Sequence, residues 1–187
     1  MKVAVISGSR NPAGQTARAV AALVEGLRSG GAETETVFLP TVTIERCRQC
    51  DAAGWGLCRS DGRCVIEDDF AGWVEAIRSA EVAVFATPVY FSDVSESLRA
   101  FLDRLRRVAR HEAGKRGLEN KPAVALCVAG GGGGGAPSCA AIMEKTLRTI
   151  GFDLVDAICV RRQNLEMKLD VLRLTGRWLA GPGRAAV

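Results

Sequence analysis

Apolar positions along the chain fall into short unbroken runs and longer stretches of helical period, and the two alternate. Lys2–Ile6 is a β-branched run of the kind buried on both faces of a sheet. From Thr16 to Arg28, residues Ala17, Val20, Ala21, Val24 and Leu27 recur at helical spacing, and Gly30-Gly31 ends the pattern. Thr34–Leu39 predicts a second strand, closed by Pro40. Residues 41–67 then lose all period. Asp68-Asp69 predicts an N-cap for a helix over Phe70–Ser79, and Glu81–Thr87 a third strand stopped by Pro88. Val94, Leu98, Phe101, Leu102, Leu105 and Val108 mark one face of the next helix, and Arg110–Asn120 reads as a polar linker. Pro122–Ala129 is a fourth apolar strand. A helix follows from Pro137 to about Ile150, then a fifth strand over Phe152–Val160 and a last helix from Asn164 to about Leu179.

Five strands separated by helices predict an α/β fold, a parallel sheet covered on both faces. Two strand orders are common for such sheets, and the pattern does not choose between them. In both, ligands bind beyond the carboxyl ends of the strands, so the loops after strands one, three and four are expected to form the site.

Length and composition add boundaries. The chain has 187 residues, 48% apolar and 25% charged, which suits one globular domain over 1–187 and excludes a fibrous or wholly disordered chain. The expected exceptions are a loop insertion at 41–67 and a flexible tail at 181–187. No apolar run reaches the roughly 18 residues of a membrane span. The amino terminus reads as a strand rather than a signal peptide, so the expected compartment is the cytoplasm and no membrane partner is expected. The net charge of +4 is accounted for from Arg161 onward, where six basic residues face Glu166 and Asp170. No aromatic platform or reading motif accompanies that surplus, so nucleic acid is not an expected partner.

The three loops differ in chemistry. The first, Ser7 to Thr16, sets the hydroxyls of Ser7, Ser9 and Thr16, the amides of Asn11 and Gln15, Arg10 and Gly14 at a helix start. Unpaired N–H groups and the positive end of the helix dipole suit a phosphate there. The loop lacks the lysine of a triphosphate loop and the three glycines of a dinucleotide loop, which argues against a triphosphate or a pyrophosphate and favours a single terminal phosphate; the alternative is an ordinary capped helix start. The second loop carries Pro88, Val89, Tyr90, Phe91 and Ser92, two adjacent aromatics in a chain with 5% aromatic residues. They can flank a planar ring or plug the sheet. The third follows Ala129 with six glycines, of which Gly130, Gly131, Gly132 and Gly133 can let backbone N–H groups approach a ligand.

Of seven cysteines, Cys127, Cys139 and Cys159 sit in apolar or glycine-rich settings and read as small core residues. Cys47, Cys50, Cys58 and Cys64 cluster in the aperiodic insertion. Four thiolates can ligate an iron–sulfur cluster or tetrahedral zinc, and the same four can remain reduced thiols. His111, the only histidine, lies in the polar linker, and no nucleophile triad can be built on it.

The loops resemble those of the flavodoxin-like NAD(P)H-dependent FMN reductases, in particular the iron–sulfur flavoprotein branch. Gly8, Ser9, Gly14 and Thr16 match the family's Gly-Ser-x4-Gly-x-Thr phosphate loop. Thr87–Arg104 is similar to the isoalloxazine loop and the helix after it, and Cys64–Phe70 to the segment after the last clustered cysteine. The resemblance implies a flavodoxin-like three-layer sandwich with five parallel strands, and a cysteine-rich insertion after strand two. It also implies bound FMN, NAD(P)H as co-substrate, and homodimers or homotetramers. The acceptor would be a small molecule (a flavin, a quinone or similar), or a redox protein if the chain is an electron carrier. The cysteine spacing here is x2, x7 and x5, where the family pattern has x2 and x2 before a more distant fourth ligand. A 4Fe–4S cluster is therefore one expectation for this segment, beside zinc in an interaction module and thiols that hold nothing. Asp103 and Arg104 fall in the matched helix and are expected to form a helix-end ion pair.

Overall fold

The strands assemble as their apolar runs require. A computed structural model describes residues 1–181, so the tail expected at 181–187 lies outside the described residues except for Gly181. Strands β1 (Lys2–Ser7), β2 (Glu33–Phe38), β3 (Val82–Pro88), β4 (Pro122–Ala129) and β5 (Asp153–Arg161) form one sheet in the order β2-β1-β3-β4-β5. Every pairing is parallel. That order is the flavodoxin-like one, which reverses between β1 and β3 and opens a crevice there.

Helices α1 (Gln15–Ser29) and α7 (Leu165–Ala180) cover one face, and α3 (Phe70–Ser79), α4 (Glu96–Val108) and α6 (Ala136–Ile150) the other. The short helices α2 (Leu57–Ser60) and α5 (Glu112–Lys115) lie in the two segments read from sequence as an insertion and a polar linker. Alternation along each strand feeds the two cores. Val3, Val5, Val82, Val84, Val124 and Leu126 face α1 and α7. Ala4, Ile6, Ala83, Phe85, Ala123 and Ala125 face α3, α4 and α6, where Phe70, Phe101 and Phe152 fill the remaining volume. Cys127 and Cys139 are fully buried there and Cys159 partly so, all as free thiols. Burial pushes the Cys159 thiol up, and a hydrogen bond with Cys139 together with burial does the same for Cys127. Cys127 and Cys139 pack as the small core residues expected of them, and Cys159 packs against the same core.

Two expectations change in detail. Asp69 stands at the N-cap of α3 but does not cap it. Its carboxylate accepts the Thr43 N–H at 2.8 Å, while Asp68 accepts the Phe70 N–H at 3.2 Å. The expected Asp103–Arg104 helix-end pair does not form. Asp103 faces Arg106 at 3.8 Å, and Arg104 turns inward. Among the described residues no helix is long and apolar enough to cross a membrane.

Two ion pairs link the charged face of α7 to α1. Arg173 bonds Glu25 at 2.8 Å and Arg18 bonds Glu166 at 2.7 Å, both between α1 and α7. These exposed pairs contribute little. The contact itself depends on two glycines. A Cβ on Gly26 would stand 2.2 Å from the Arg173 carbonyl oxygen, and one on Gly176 2.4 Å from that of Leu23. Gly26→Ala is therefore expected to destabilise the fold by about 2 kcal/mol, despite alanine's better helix propensity, because the backbones must separate. Thermal denaturation followed by circular dichroism should show a Tm lower by roughly 4–8 °C.

Candidate functional site

The loops after β1, β3 and β4 meet at one edge of the sheet, as the parallel topology requires. Gly8 donates to the Ala86 carbonyl at 2.8 Å, which ties the first loop to β3. Asn11 shapes that loop through its side chain and backbone. Its Oδ1 accepts the Ala13 N–H at 3.0 Å, and its carbonyl accepts the Gly14 N–H at 3.1 Å and the Ser9 hydroxyl at 3.2 Å. Gly14 is the N-cap of α1 and offers no side-chain cap, so the first amides of this 15-residue helix have no side chain to satisfy them. A positive dipole end and free N–H groups therefore point out of the loop. The buried Oε1 of Gln15 has no hydrogen-bond partner and lies toward Gly130.

The second loop is a tight turn. Tyr90 and Asp93 exchange two backbone hydrogen bonds of 2.9 Å, with Phe91 (φ 50°) and Ser92 (φ 66°) both in the left-handed region. Non-glycine residues occupy that region at a cost. Phe91 is also fully exposed, and Tyr90 nearly half so. Arg99 pairs with Asp93, and Thr87 Oγ1 accepts the Ser95 N–H at 2.9 Å, so the base of the turn is fixed.

The glycine loop packs on this turn. Gly131, Gly133 and Gly135 have φ between 47° and 80°, and a Cβ on Gly135 would press on Ser92. Gln163, after β5, donates from Nε2 to the Gly132 carbonyl at 2.9 Å. The sequence reading missed Gln163. It stands in a polar run with no motif, and only the fold brings it under the loop.

Together the three loops enclose a cavity of about 530 Å³. Its walls are Ser9, Arg10, Asn11, Gly14, Gln15 and Thr16 from the first loop, Pro88, Val89 and Tyr90 from the second, Gly130 and Gly131 from the third, and Val128 beneath. Ser7, Phe91, Ser92, Gly132 and Gly133, also named from sequence, stand behind or beside these walls. Ser7 is buried and accepts the Ser9 N–H at 3.3 Å, while Gly132 carries the bond to Gln163. A second cavity, of about 890 Å³, lies against Leu39, Pro40, Val42, Ile44 and Glu96 and shares Arg10 and Tyr90 with the first.

The cysteine insertion forms a separate site. Cys47, Cys50, Cys58 and Cys64 line one pocket, together with Arg104 and Arg107 of α4. Among the described residues no three Cys, His, Asp or Glu side chains converge as they would on a single metal ion. The segment is held by a buried ion pair. Arg104 and Asp68 are each 1% exposed, with bonds of 2.6 and 2.9 Å between guanidinium and carboxylate. The same guanidinium donates to the Glu45 carbonyl at 3.0 Å and the Ile66 carbonyl at 3.4 Å, and lies 4.1 Å from the Phe70 ring. Burial alone would raise the Asp68 carboxyl. Hydrogen bonds from Arg104 and from the backbone N–H groups of Glu45 and Phe70 outweigh it and hold the group below the usual carboxylate range. Burial likewise opposes the charge on Arg104, but Asp68 and Cys64 beside it keep the guanidinium above its ordinary value. Trp55, in the middle of the insertion, is gripped by Arg107 over its ring and by His111 at 4.8 Å, so it serves as an anchor of the loop.

The comparisons with known proteins agree with this fold. Residues 1–165 match the family model described as NADPH-dependent FMN reductase. An iron–sulfur flavoprotein of Methanosarcina thermophila is 33% identical over 150 residues, covering 80% of this chain and 71% of that protein. Another, of Methanocaldococcus jannaschii, is 33% identical over 106 residues, 57% of this chain and about half (52%) of its own length. Among solved structures, an NAD(P)H:quinone oxidoreductase from Methanothermobacter marburgensis superposes over 96% of both chains with a TM-score of 0.69 at 23% identity, a likeness of fold.

Removing one partner of the buried pair exposes its role. Asp68→Asn leaves a buried guanidinium without its counter-charge and is expected to cost about 3–5 kcal/mol. Urea denaturation should show a lower midpoint with an unchanged slope, and exposed surface pairs such as Arg63–Asp61 should show no comparable loss.

Proposed function

Because this chain belongs to the NADPH-dependent FMN reductase family, we propose that it binds one FMN in the crevice between β1 and β3 and acts as an NAD(P)H-dependent oxidoreductase. The observation that carries this reading is the cavity of about 530 Å³ at the topological switch point, faced by the uncapped start of α1. Its size falls within the roughly 300–1,000 Å³ of cofactor sites.

The residues present fit the group. The amides at the start of α1, with Ser9, Thr16 and Asn11, would hold the phosphate, and Arg10 adds positive charge at the rim. Gln15 Oε1, buried and unpartnered, is an acceptor awaiting a donor, and the polyol chain or ring of FMN can supply one. Pro88, Val89 and Tyr90 would lie along the ring. Gly130 and Gly131 would bring backbone N–H groups to its polar edge, where negative charge develops on reduction. FMN supplies the hydride and electron chemistry itself. No side-chain acid or base is needed from this chain. The adjoining cavity, which shares Arg10 and Tyr90, offers the co-substrate and the acceptor an approach to the exposed ring. The acceptor is a small molecule such as a flavin or quinone, or a redox protein.

The chain works as one FMN-binding unit in the cytoplasm, and as a homodimer or homotetramer. Two apolar surfaces support self-association. One is the Tyr90-Phe91 turn. The other is a stripe on α7 of Met167, Val171, Leu174 and Trp178, all exposed.

A second activity is supported by the cysteine pocket. Four thiols lining one pocket supply the all-sulfur donor set that an iron–sulfur cluster takes. We propose that Cys47, Cys50, Cys58 and Cys64 ligate an iron–sulfur cluster, which supplies one-electron transfer. The chain then carries electrons between single-electron partners and the flavin, as an alternative or an addition to direct reduction by NAD(P)H.

Two measurements test these assignments. Thr16→Val removes one hydroxyl donor from the phosphate loop and should weaken FMN by about 1–2 kcal/mol, roughly 5–30-fold in Kd, by flavin-fluorescence titration of the apoprotein. Unchanged affinity would overturn the phosphate-loop assignment. Cys50→Ser, purified without oxygen, should lose iron and acid-labile sulfide while keeping FMN and its visible absorption. Wild-type protein that takes up neither iron nor sulfide would overturn the cluster reading alone.

A further inference from the structure

The hydrogen bonds of Arg104 leave one donor over. Its Nη1 is occupied by Asp68 and the Glu45 carbonyl, and its Nη2 by Asp68 and the Ile66 carbonyl. These bonds suffice to fasten the insertion to α4. The Nε atom is fully buried and has no hydrogen-bond partner. A buried donor left unmade is costly, and one kept in a folded chain calls for an explanation. Arg104 lies beside Cys64 and lines the same pocket as all four clustered cysteines. Apart from Arg107, whose guanidinium is engaged by Gly54 and Trp55, and Arg48, which is paired with Glu45, the pocket presents no other charged side chain.

We infer that Arg104 is a positioning residue of the cysteine pocket: its positive charge and its spare Nε–H, buried in the wall that Cys64 shares, stabilise a ligated anionic sulfur and raise the reduction potential of the centre that Cys64 holds. The inference rests on the cluster reading of the four cysteines. Adding an electron to a thiolate-ligated cluster adds negative charge to its sulfurs. A fixed cation and an N–H donor at one of them then favour the reduced state more than the oxidised one. Arginine suits this role and lysine does not. The planar fork spends its two terminal nitrogens on Asp68 and the backbone while Nε points another way, and a lysine ammonium cannot hold both directions. Asp68 is the second part of the device. It fixes the guanidinium plane and offsets part of its charge, so the pair is tolerated under the loop whether or not the thiols are loaded.

The test uses the full chain, loaded with iron and sulfide without oxygen and holding FMN. Arg104→Lys keeps the charge and removes the Nε–H. Asp68→Asn combined with Arg104→Gln replaces the ion pair by a neutral pair, which spares the fold the unbalanced charge of either single change. Iron and sulfide per chain establish loading. A dye-mediated redox titration, read by the electron paramagnetic resonance of the reduced centre, gives its midpoint, with the flavin midpoint as internal control. Both variants should bind iron, show a midpoint more negative than wild type, and lose iron to a chelator about 10–100-fold faster. The flavin midpoint should not move. Cluster midpoint and iron loss at wild-type values in loaded variants would overturn the role of Arg104 and leave the cluster reading standing. A flavin midpoint that shifts equally would overturn it too, since the effect would then be general to the fold. Failure of the wild-type chain to take up iron and sulfide would overturn both.

Discussion

The buried pair of Arg104 and Asp68 joins both ends of the cysteine insertion to one helix, deeper than any other tie between them. Residues 41–67 have neither helical nor strand period, and beyond the single turn of α2 they bury isolated side chains such as Cys58 and Ile66 rather than a continuous face. What order they have is borrowed. The Asp68 carboxylate accepts the Glu45 N–H, the Arg104 guanidinium donates to the Glu45 carbonyl, and both ends of the insertion are clamped on one helix. A buried ion pair is a poor source of net stability, because desolvation offsets most of its attraction. Its value lies in specificity. An apolar substitute would let the loop slide, whereas a bidentate pair with two carbonyl contacts fixes one register.

Helix α4 carries that register to the other site. At its start, Ser97 donates to the Gly8 carbonyl at 3.2 Å, and Ser95 caps the helix while its backbone holds the second loop through Thr87. Seven residues on, Arg104 faces the cysteines. At about 1.5 Å per residue the two attachments are roughly 10 Å apart along one rigid element. Both redox sites proposed here are thus referenced to the same helix. A change that tilts α4 moves both, while a change at Thr16 or Gln163 touches the flavin crevice only.

The sequence showed its regular parts and hid its long-range ones. Every strand and long helix was legible, because β-branched runs and helical spacing are local signals. The strand order was not legible in that pattern, since it depends on which apolar faces meet; the family resemblance implied the flavodoxin-like order, and the sheet has it. The loops of the flavin crevice could be found because topology forces the carboxyl ends of β1, β3 and β4 to one edge. Their walls divided more finely than sequence could foresee. Ser7 and Gly132 support the lining rather than belong to it, and Gln163 reaches the glycine loop across 31 residues. Arg104 was misassigned for the same reason. A neighbouring aspartate made a helix-end pair the obvious reading, and the true partner lies 36 residues away. The segment read as a polar linker likewise holds α5, which packs against the insertion through Gly62 and Gly114.

One local conflict points to function more directly than any match of pattern. A turn with two central residues at positive φ ordinarily carries Asn-Gly or Asp-Gly, because those residues adopt the left-handed region cheaply. Here the positions are Phe91 and Ser92, and the phenylalanine ring is fully exposed. The turn therefore bears backbone strain and unburied apolar area in the same residue. Stability of this chain alone explains neither, since glycine would relieve the first and a polar residue the second. Tyr90, the neighbour of Phe91, lines the crevice between β1 and β3, so the ring is presented beside that crevice rather than packed into the fold. On that argument the strain at Phe91 is retained for what it presents, and the glycine loop packed against Ser92 is what holds the turn in a conformation its own residues do not favour.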